Sequence, residues 1–313
     1  GVPEQASYLV RHPGADSLLP DSSRSRLIAW CCCATAPGCA RASRSTGAIG
    51  PARMPDAAIV ILNYNGRALL PACLAAWELP GQTAVADRDR VFEAVTLPCE
   101  VLVVYDTPGD TTVPYLEKYL ESEPRLVPAL NAYGQGPADA MRFGIDQAEA
   151  PVVVVTMADG CDDPQQIDAL TRLVERGVVV AAASRYSRGG QQVGVPTLKR
   201  SLSKTAGLTL CWFARVGTHD ATNSFKAYSK AFIEDVGIQA DAGFEMGIEL
   251  VAKARRLRKP VAELPTIWLD RTEGASNFKV AAWLSRYLRW YLFAFGPKLS
   301  IEALNRRTGR IGA

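Results

Sequence analysis

The run Val152-Val153-Val154-Val155-Thr156-Met157-Ala158-Asp159-Gly160-Cys161-Asp162-Asp163-Pro164 decides how this chain folds. Its first five residues are all β-branched, and four are apolar, so side chains on both faces of the pleat avoid water. Such a strand belongs in a parallel sheet with helices above and below. Carboxylates crowd in directly behind it, at the strand end where such sheets bind ligands.

The same grammar repeats in both directions. Apolar strand-like runs occupy 59–62, 100–105, 125–128 and 178–182, and helical patterns occupy 67–77, 113–122, 138–148 and 167–176. The alternation predicts an α/β fold with a mainly parallel sheet flanked by helices. Polar residues follow each strand in turn: Asn63-Tyr64-Asn65, Asp106-Thr107-Pro108-Gly109-Asp110, Asp159 with Asp162-Asp163, and Ser184-Arg185-Tyr186. Helix capping accounts for Asp110 or Asp163 taken singly. It accounts poorly for carboxylates and an arginine along one edge, which point to a metal and phosphate site.

Residues 1–53 are rich in Ser, Ala, Arg, Gly and Pro, without strand or helix period, and Met54 stands just ahead of the first strand-like run. The expectation is a disordered or mistranslated extension over 1–53, a catalytic domain over 54–280, and an amphipathic aromatic and basic helix with a tail over 281–313. The chain has 313 residues and a formal net charge of +3, a balance that does not call for nucleic acid as partner. It lacks an apolar run of about 18 residues that could span a bilayer. The segment 27–33 is too short and too far in for a secretion leader. With eight cysteines, Cys31, Cys32, Cys33 and Cys39 near the start and Cys73, Cys99, Cys161 and Cys211 standing singly, read as unpaired thiols, the expected location is cytoplasmic, peripheral on the cytoplasmic face of a membrane.

Several blocks, in order, resemble family 2 glycosyltransferases, and among them the dolichol-phosphate mannosyltransferase branch. They are Ile61-Leu62-Asn63-Tyr64-Asn65-Gly66, Val104-Tyr105-Asp106-Thr107-Pro108-Gly109-Asp110, Ser184-Arg185-Tyr186, Asp220-Ala221-Thr222-Asn223-Ser224-Phe225-Lys226, Gly243-Phe244-Glu245 and Arg271-Thr272-Glu273-Gly274-Ala275-Ser276. The resemblance spans about 57–279. It implies the GT-A (Rossmann-like) fold, inverting transfer, a nucleotide-sugar donor and a divalent metal, Mg²⁺ or Mn²⁺.

Carried over residue by residue, it places Leu62, Tyr64, Asn65, Val104, Asp106, Ala158, Asp159 and Lys226 around the nucleotide sugar. Asp159, Arg185 and Arg271 become the catalytic charges, and Lys199, Arg200 and Ser203 hold an acceptor phosphate. Asp159 and Asp162 become the metal ligands. Met157 stands where the family has the first aspartate of its Asp-x-Asp pair, and a thioether is a poor ligand for a hard cation. Lys226 stands in an arginine position.

An alcohol acceptor needs a base to take its proton, whereas a polyprenyl phosphate arrives ionised. Asp220, Glu245 and Asp270 are the candidate bases, each with a structural-pairing alternative. The cations of 199–204 favour a lipid phosphate. Trp283, Tyr287, Trp290 and Tyr291, at helical spacing with Arg286 and Arg289, fit either a membrane headgroup layer or a helix docked on the domain. The expected activity is hexose transfer from GDP-mannose or a UDP-glucose type donor to a polyprenyl or dolichyl phosphate. The alternatives are transfer to a saccharide hydroxyl and a catalytically silent nucleotide-sugar binder.

Overall fold

A computed structural model describes residues 27–32, 56–64, 91–121, 123–157, 161–241, 243–270 and 280–309. The strands in chain order are β1 (Leu27–Cys32), β2 (Ala57–Tyr64), β3 (Cys99–Tyr105), β4 (Leu126–Leu130), β5 (Val152–Met157), β6 (Val180–Ser184), β7 (Gln191–Val193), β8 (Lys226–Ser229), β9 (Val261–Pro265) and β10 (Ile267–Leu269). Eight of them form one sheet in the order β4-β3-β1-β2-β5-β8-β6-β9, and β7 pairs with β10 alone. Every neighbour in the large sheet is parallel except β8, which runs antiparallel between β5 and β6. The helices are α1 (Val91–Ala94), α2 (Val113–Leu120), α3 (Pro137–Gln147), α4 (Ile167–Glu175), α5 (Thr197–Thr209), α6 (Lys230–Val236), α7 (Met246–Leu257), α8 (Val280–Ala294) and α9 (Ile301–Thr308).

The continuous apolar strands exist because both sheet faces are covered. Val152 and Val154 enter one core with Ile59, Val101, Leu116 of α2 and Leu170 of α4. Val153 and Val155 enter the other with Met141 and Ile145 of α3, Leu250 of α7 and Trp290 of α8. Each buried valine contributes roughly 1.5–3 kcal/mol from lost apolar exposure. A one-residue slip only exchanges one apolar face for the other, so burial alone fixes the register weakly.

Strand β1 departs from the patternless reading of residues 1–53, since its backbone is extended and parallel beside β2 and β3. Val101 and Leu102 face Leu27 and Ile28, and they also face Ile59 and Val60. One strand edge can bond a single neighbour at each residue. The β2–β3 pairing is continuous with the buried core through Ile59 and Val101. The remainder of 1–53, and the helix expected over 67–77, lie outside the described residues.

From β2 the chain steps outward through β3 and β4, then returns to the other side of β2 with β5. The direction of winding reverses between β2 and β5, where Leu62 faces Met157. Ligands of open α/β sheets settle in the crevice at such a reversal. Because β8 is antiparallel, its first residue stands at that same rim, with Lys226 between Val155 and Ala182.

Candidate active site

The rim is assembled from loops that leave β3 and β6 and enter β8, capped by the starts of α3, α5 and α7. After β3, both Asp106 oxygens are engaged: Oδ1 accepts from Asn131 Nδ2 at 2.7 Å and Oδ2 from the Gly136 amide at 3.1 Å. Gly136 takes φ +107°, a conformation natural to glycine, and opens α3. Asp106 thus ties the glycine turn to the strand end. Val104 is fully buried, so its side chain serves the core. Asp110 Oδ1 accepts from the amide and hydroxyl of Thr112 ahead of α2, and Asp163 accepts from the Gln165 amide. Both are turn and cap residues.

Arg185 makes the densest contacts. Its Nε and Nη2 fork onto Asp220 at 2.7 and 2.9 Å, and its own amide donates to the same carboxylate at 3.0 Å. Nη2 also reaches Ser203 Oγ and Thr222 Oγ1, each at 3.4 Å, and those two hydroxyls are 2.7 Å apart. The structure therefore brings Arg185 together with Ser203 of α5, two expected site residues far apart in sequence. Burial penalises the Arg185 cation, yet the charge and hydrogen bonds of Asp220 outweigh it and raise its pKa. Burial likewise opposes the Asp220 anion, and Arg185 holds it below its ordinary value. Asp220 is fully buried and held in this pair, the structural-pairing alternative of its sequence reading. Among the described residues Arg185 Nη1 donates to nothing, and 10% of the side chain is exposed. That edge can meet a phosphate.

Lys226, expected on the donor, has no exposed surface. Its ammonium donates to the carbonyls of Ala221 and Asn223, beneath the loop that carries Asp220 and Thr222. Burial pushes its pKa down to about 7, against the pull of Asp220. The antiparallel strand explains the correction: the first residue of β8 lies under its own entry loop. A Cβ on Gly247 would lie 3.0 Å from Asn223 O, so α7 can press directly on that loop.

Asp162 is buried, and its Oδ2 accepts from the Thr156 hydroxyl at 2.9 Å and the Met157 amide at 3.2 Å. Among the described residues no group of three His, Cys, Asp or Glu side chains could enclose a metal. Met157 and the buried Cys161 present sulfur, which suits a hard cation poorly. Leu62 and Tyr64 are placed by backbone at the end of β2, and Lys199, Arg200 and Ser203 lie on the first turns of α5. Asn65, Ala158, Asp159 and Arg271 lie outside the described residues.

The sequence reading passed over Asn131 and did not foresee Thr222 meeting Ser203. Asn131 ends β4 as Asp106 ends β3, and that shared place at a strand terminus was the available signal. The C-terminal helix α8 docks: Trp290 and Ala294 are buried, Tyr291 donates to Thr209 Oγ1 at 3.0 Å, and α9 follows with Leu304 buried. Burial and the neighbouring Glu245 carboxylate raise the Tyr287 pKa, and α8 packs along α7. Among the described residues Cys99, Cys161 and Cys211 form no disulfide.

Fold and rim together describe an α/β protein with polar and charged side chains gathered at a sheet crevice. The sequence profile of glycosyl transferase family 2 matches residues 58–237, and the chain belongs to that family as a glycosyltransferase. Among its curated relatives are the polyprenol monophosphomannose synthase of Mycolicibacterium smegmatis, 29% identical over 72% of this chain and 85% of that protein, and the undecaprenyl-phosphate mannosyltransferase of Micrococcus luteus, 24% identical over 66% and 86%. Its likeness therefore falls in the dolichol-phosphate mannosyltransferase-like branch. Glucosyl-3-phosphoglycerate synthase of Mycobacterium tuberculosis, solved with UDP, shares the GT-A fold at a TM-score of 0.53 and 13% identity, over 88% of this chain and 82% of that one.

Proposed function

We propose that this glycosyltransferase moves a hexose from a nucleotide-diphosphate sugar to a polyprenyl phosphate. The carrying observation is the meeting of Arg185, Thr222 and Ser203 at the rim, Ser203 belonging to the helix whose start also bears Lys199 and Arg200. A phosphate oxygen of the acceptor attacks the anomeric carbon, the bond to the donor diphosphate breaks with inversion, and the nucleoside diphosphate leaves. The acceptor is already ionised, so no base is required. That agrees with Asp220 being committed to Arg185.

Guanidinium donors fixed before the reaction stabilise charge growing on the leaving diphosphate without reorganising. We assign that task to Arg185 through its open edge, and to Arg271. The described side chains do not suffice for a metal site. We assign a divalent ion to Asp159 and the oxygens of the diphosphate, with Asp162 bracing the strand end beneath. When bound, such an ion supplies positive charge to the diphosphate.

The lipid acceptor also fits the surface. Leu198 and Leu202 on α5, Trp212 and Phe213 just after it, and Leu284, Leu288 and Leu292 on α8 are exposed, while the opposite face of α8 is buried. No helix among the described residues is long and apolar enough to cross a membrane. We read these exposed residues as a peripheral membrane face.

The test is a panel of radiolabelled GDP- and UDP-hexoses with polyprenyl phosphate in detergent, with and without Mn²⁺ or Mg²⁺. Label should pass into the organic phase as an acid-labile lipid phosphosugar. Label passing only to a saccharide hydroxyl would replace this reading with the alternative acceptor.

A further inference from the structure

At the end of the sheet opposite the active site, an open surface pocket of about 350 Å³ is lined by Arg215, Arg255, Arg258 and Lys259 together with Val216, Gly217 and Val261. It lies where β9 begins, next to Val261, whereas the catalytic rim lies at the far end of the parallel strands. Among the described residues none of these four cations forms a salt bridge. Glu263, two residues along β9 from Val261, is already engaged by Thr218 and His219. Gathered like charges repel, and a stable fold gains nothing from collecting them around a hollow.

Two of the four sit where arginine is unfavourable. Arg215 has φ +57° and Arg258 has φ +56°, the left-handed conformation that ends a helix and that glycine adopts without strain. Arg215 closes the π-helical turn Leu210–Ala214, and Arg258 closes α7. A basic side chain at a helix end gains a little from the helix dipole. Glycine would relieve the backbone at both places. That both are arginine, and that both line one pocket, points to the side chains rather than the turns.

The turn that ends at Arg215 also carries Trp212 and Phe213, 63% and 73% exposed. Large aromatics beside guanidinium groups match the headgroup layer of a bilayer, where rings sit among acyl chain ends and arginines meet phosphates.

We propose that Arg215, Arg255, Arg258 and Lys259 form a second phosphate site, separate from catalysis, that grips the headgroup of an anionic phospholipid. The site would hold the enzyme in one orientation, with Trp212 and Phe213 entering the interface. This rests on the membrane-face reading above, but not on the identity of the sugar acceptor.

The test uses the full chain and three variants: Arg215→Gly, Arg258→Gly, and Trp212→Ala with Phe213→Ala. Each is sedimented with vesicles of phosphatidylcholine alone and of phosphatidylcholine mixed with phosphatidylglycerol. The unaltered chain should prefer the mixed vesicles. Each glycine variant should bind them roughly fivefold more weakly, the size expected for one cation at an anionic surface. Loss of strain should leave its Tm unchanged or higher by roughly 2–4 °C. The aromatic variant should lose affinity for both kinds of vesicle. Sugar transfer to polyprenyl phosphate in detergent should be unchanged in the glycine variants, so failure here leaves the catalytic reading standing. Equal binding of the glycine variants and the unaltered chain to mixed vesicles overturns the site, as does a Tm lowered by the glycines. Failure of the unaltered chain to bind any vesicle removes the site and the membrane face together. If millimolar inorganic phosphate raises the Tm of the unaltered chain but not of the variants, while vesicle binding stays equal, the occupant is a soluble anion and the lipid is overturned.

Discussion

Two buried ion pairs, Arg185–Asp220 and Lys253–Glu249, use similar chemistry for different ends. The first lies at the catalytic rim with 10% of its arginine exposed; in the second both side chains are fully buried. Glu249 accepts from the amides of Gln239 and Ala240, and Lys253 donates to Glu249, to the Gln239 side chain and to the carbonyls of Val236 and Gly237. The ammonium also lies 5.3 Å from the Trp290 ring centre, beneath the docked α8. Every donor there has an internal acceptor, so the pair staples the 236–241 loop and α8 to α7. At Arg185 one edge is left over. The unspent donor separates a group that can act on substrate from one that only holds the fold.

Substituting the two cations is the most direct way to break that distinction. Arg185→Met should lower transfer by about 10²–10³-fold, the loss typical of one fixed donor to developing charge. It should also destabilise the fold by about 3–5 kcal/mol, because Asp220 is left buried and unpaired. Arg185→Lys keeps the charge but not the fork, and should recover more stability than rate. Lys253→Met should cost a similar 3–5 kcal/mol in urea unfolding while the folded fraction keeps its kcat. Adding Glu249→Gln should return part of that loss, since it removes the buried unpaired charge while the amide oxygen still accepts from one of the two loop amides. If Lys253→Met loses rate as Arg185→Met does, the two pairs are not functionally distinct.

The sequence makes the two sites unequally legible. The strands around β5 could be read because side chains covered on both faces leave continuous apolar runs. Arg185 and Asp220 could each be placed in a motif, but their fork joins residues 35 positions apart, and no local period encodes it. Glu249 and Lys253 have the i, i+4 spacing of an ordinary surface pair. Only the packing of α8 turns them inward. That helix fitted docking and membrane contact equally well from its pattern, because an aromatic and basic helix can bury one face in a domain and leave leucines on the other. Strand β1 carried no usable signal, and the antiparallel course of β8 hid the burial of Lys226. A four-residue strand has too few side chains to state its direction.

Lys226 gives the smallest expected effect and sharpens the comparison on a third buried cation. Unlike Arg185 and Lys253 it has no carboxylate in direct contact, and it hydrogen-bonds only to backbone carbonyls. Burial lowers its pKa to about 7 although Asp220 pulls the other way. An unfolded lysine holds its proton up to about pH 10.4. Between pH 7 and 10 the Lys226 side chain therefore binds one proton more in the unfolded chain than in the folded one, and its own contribution to stability rises with pH by about 1.4 kcal/mol per unit. Asp220 does not blur this window. Its lowered pKa contributes stability that is complete above the unfolded value of about 3.9 and is lost only as pH falls below it. Urea unfolding at pH 7.5 and pH 9 should show the unaltered chain gaining about 2 kcal/mol more than Lys226→Met over that interval. Equal gains in the two proteins would mean that Lys226 keeps its proton when folded, as a lysine that reaches substrate phosphate would.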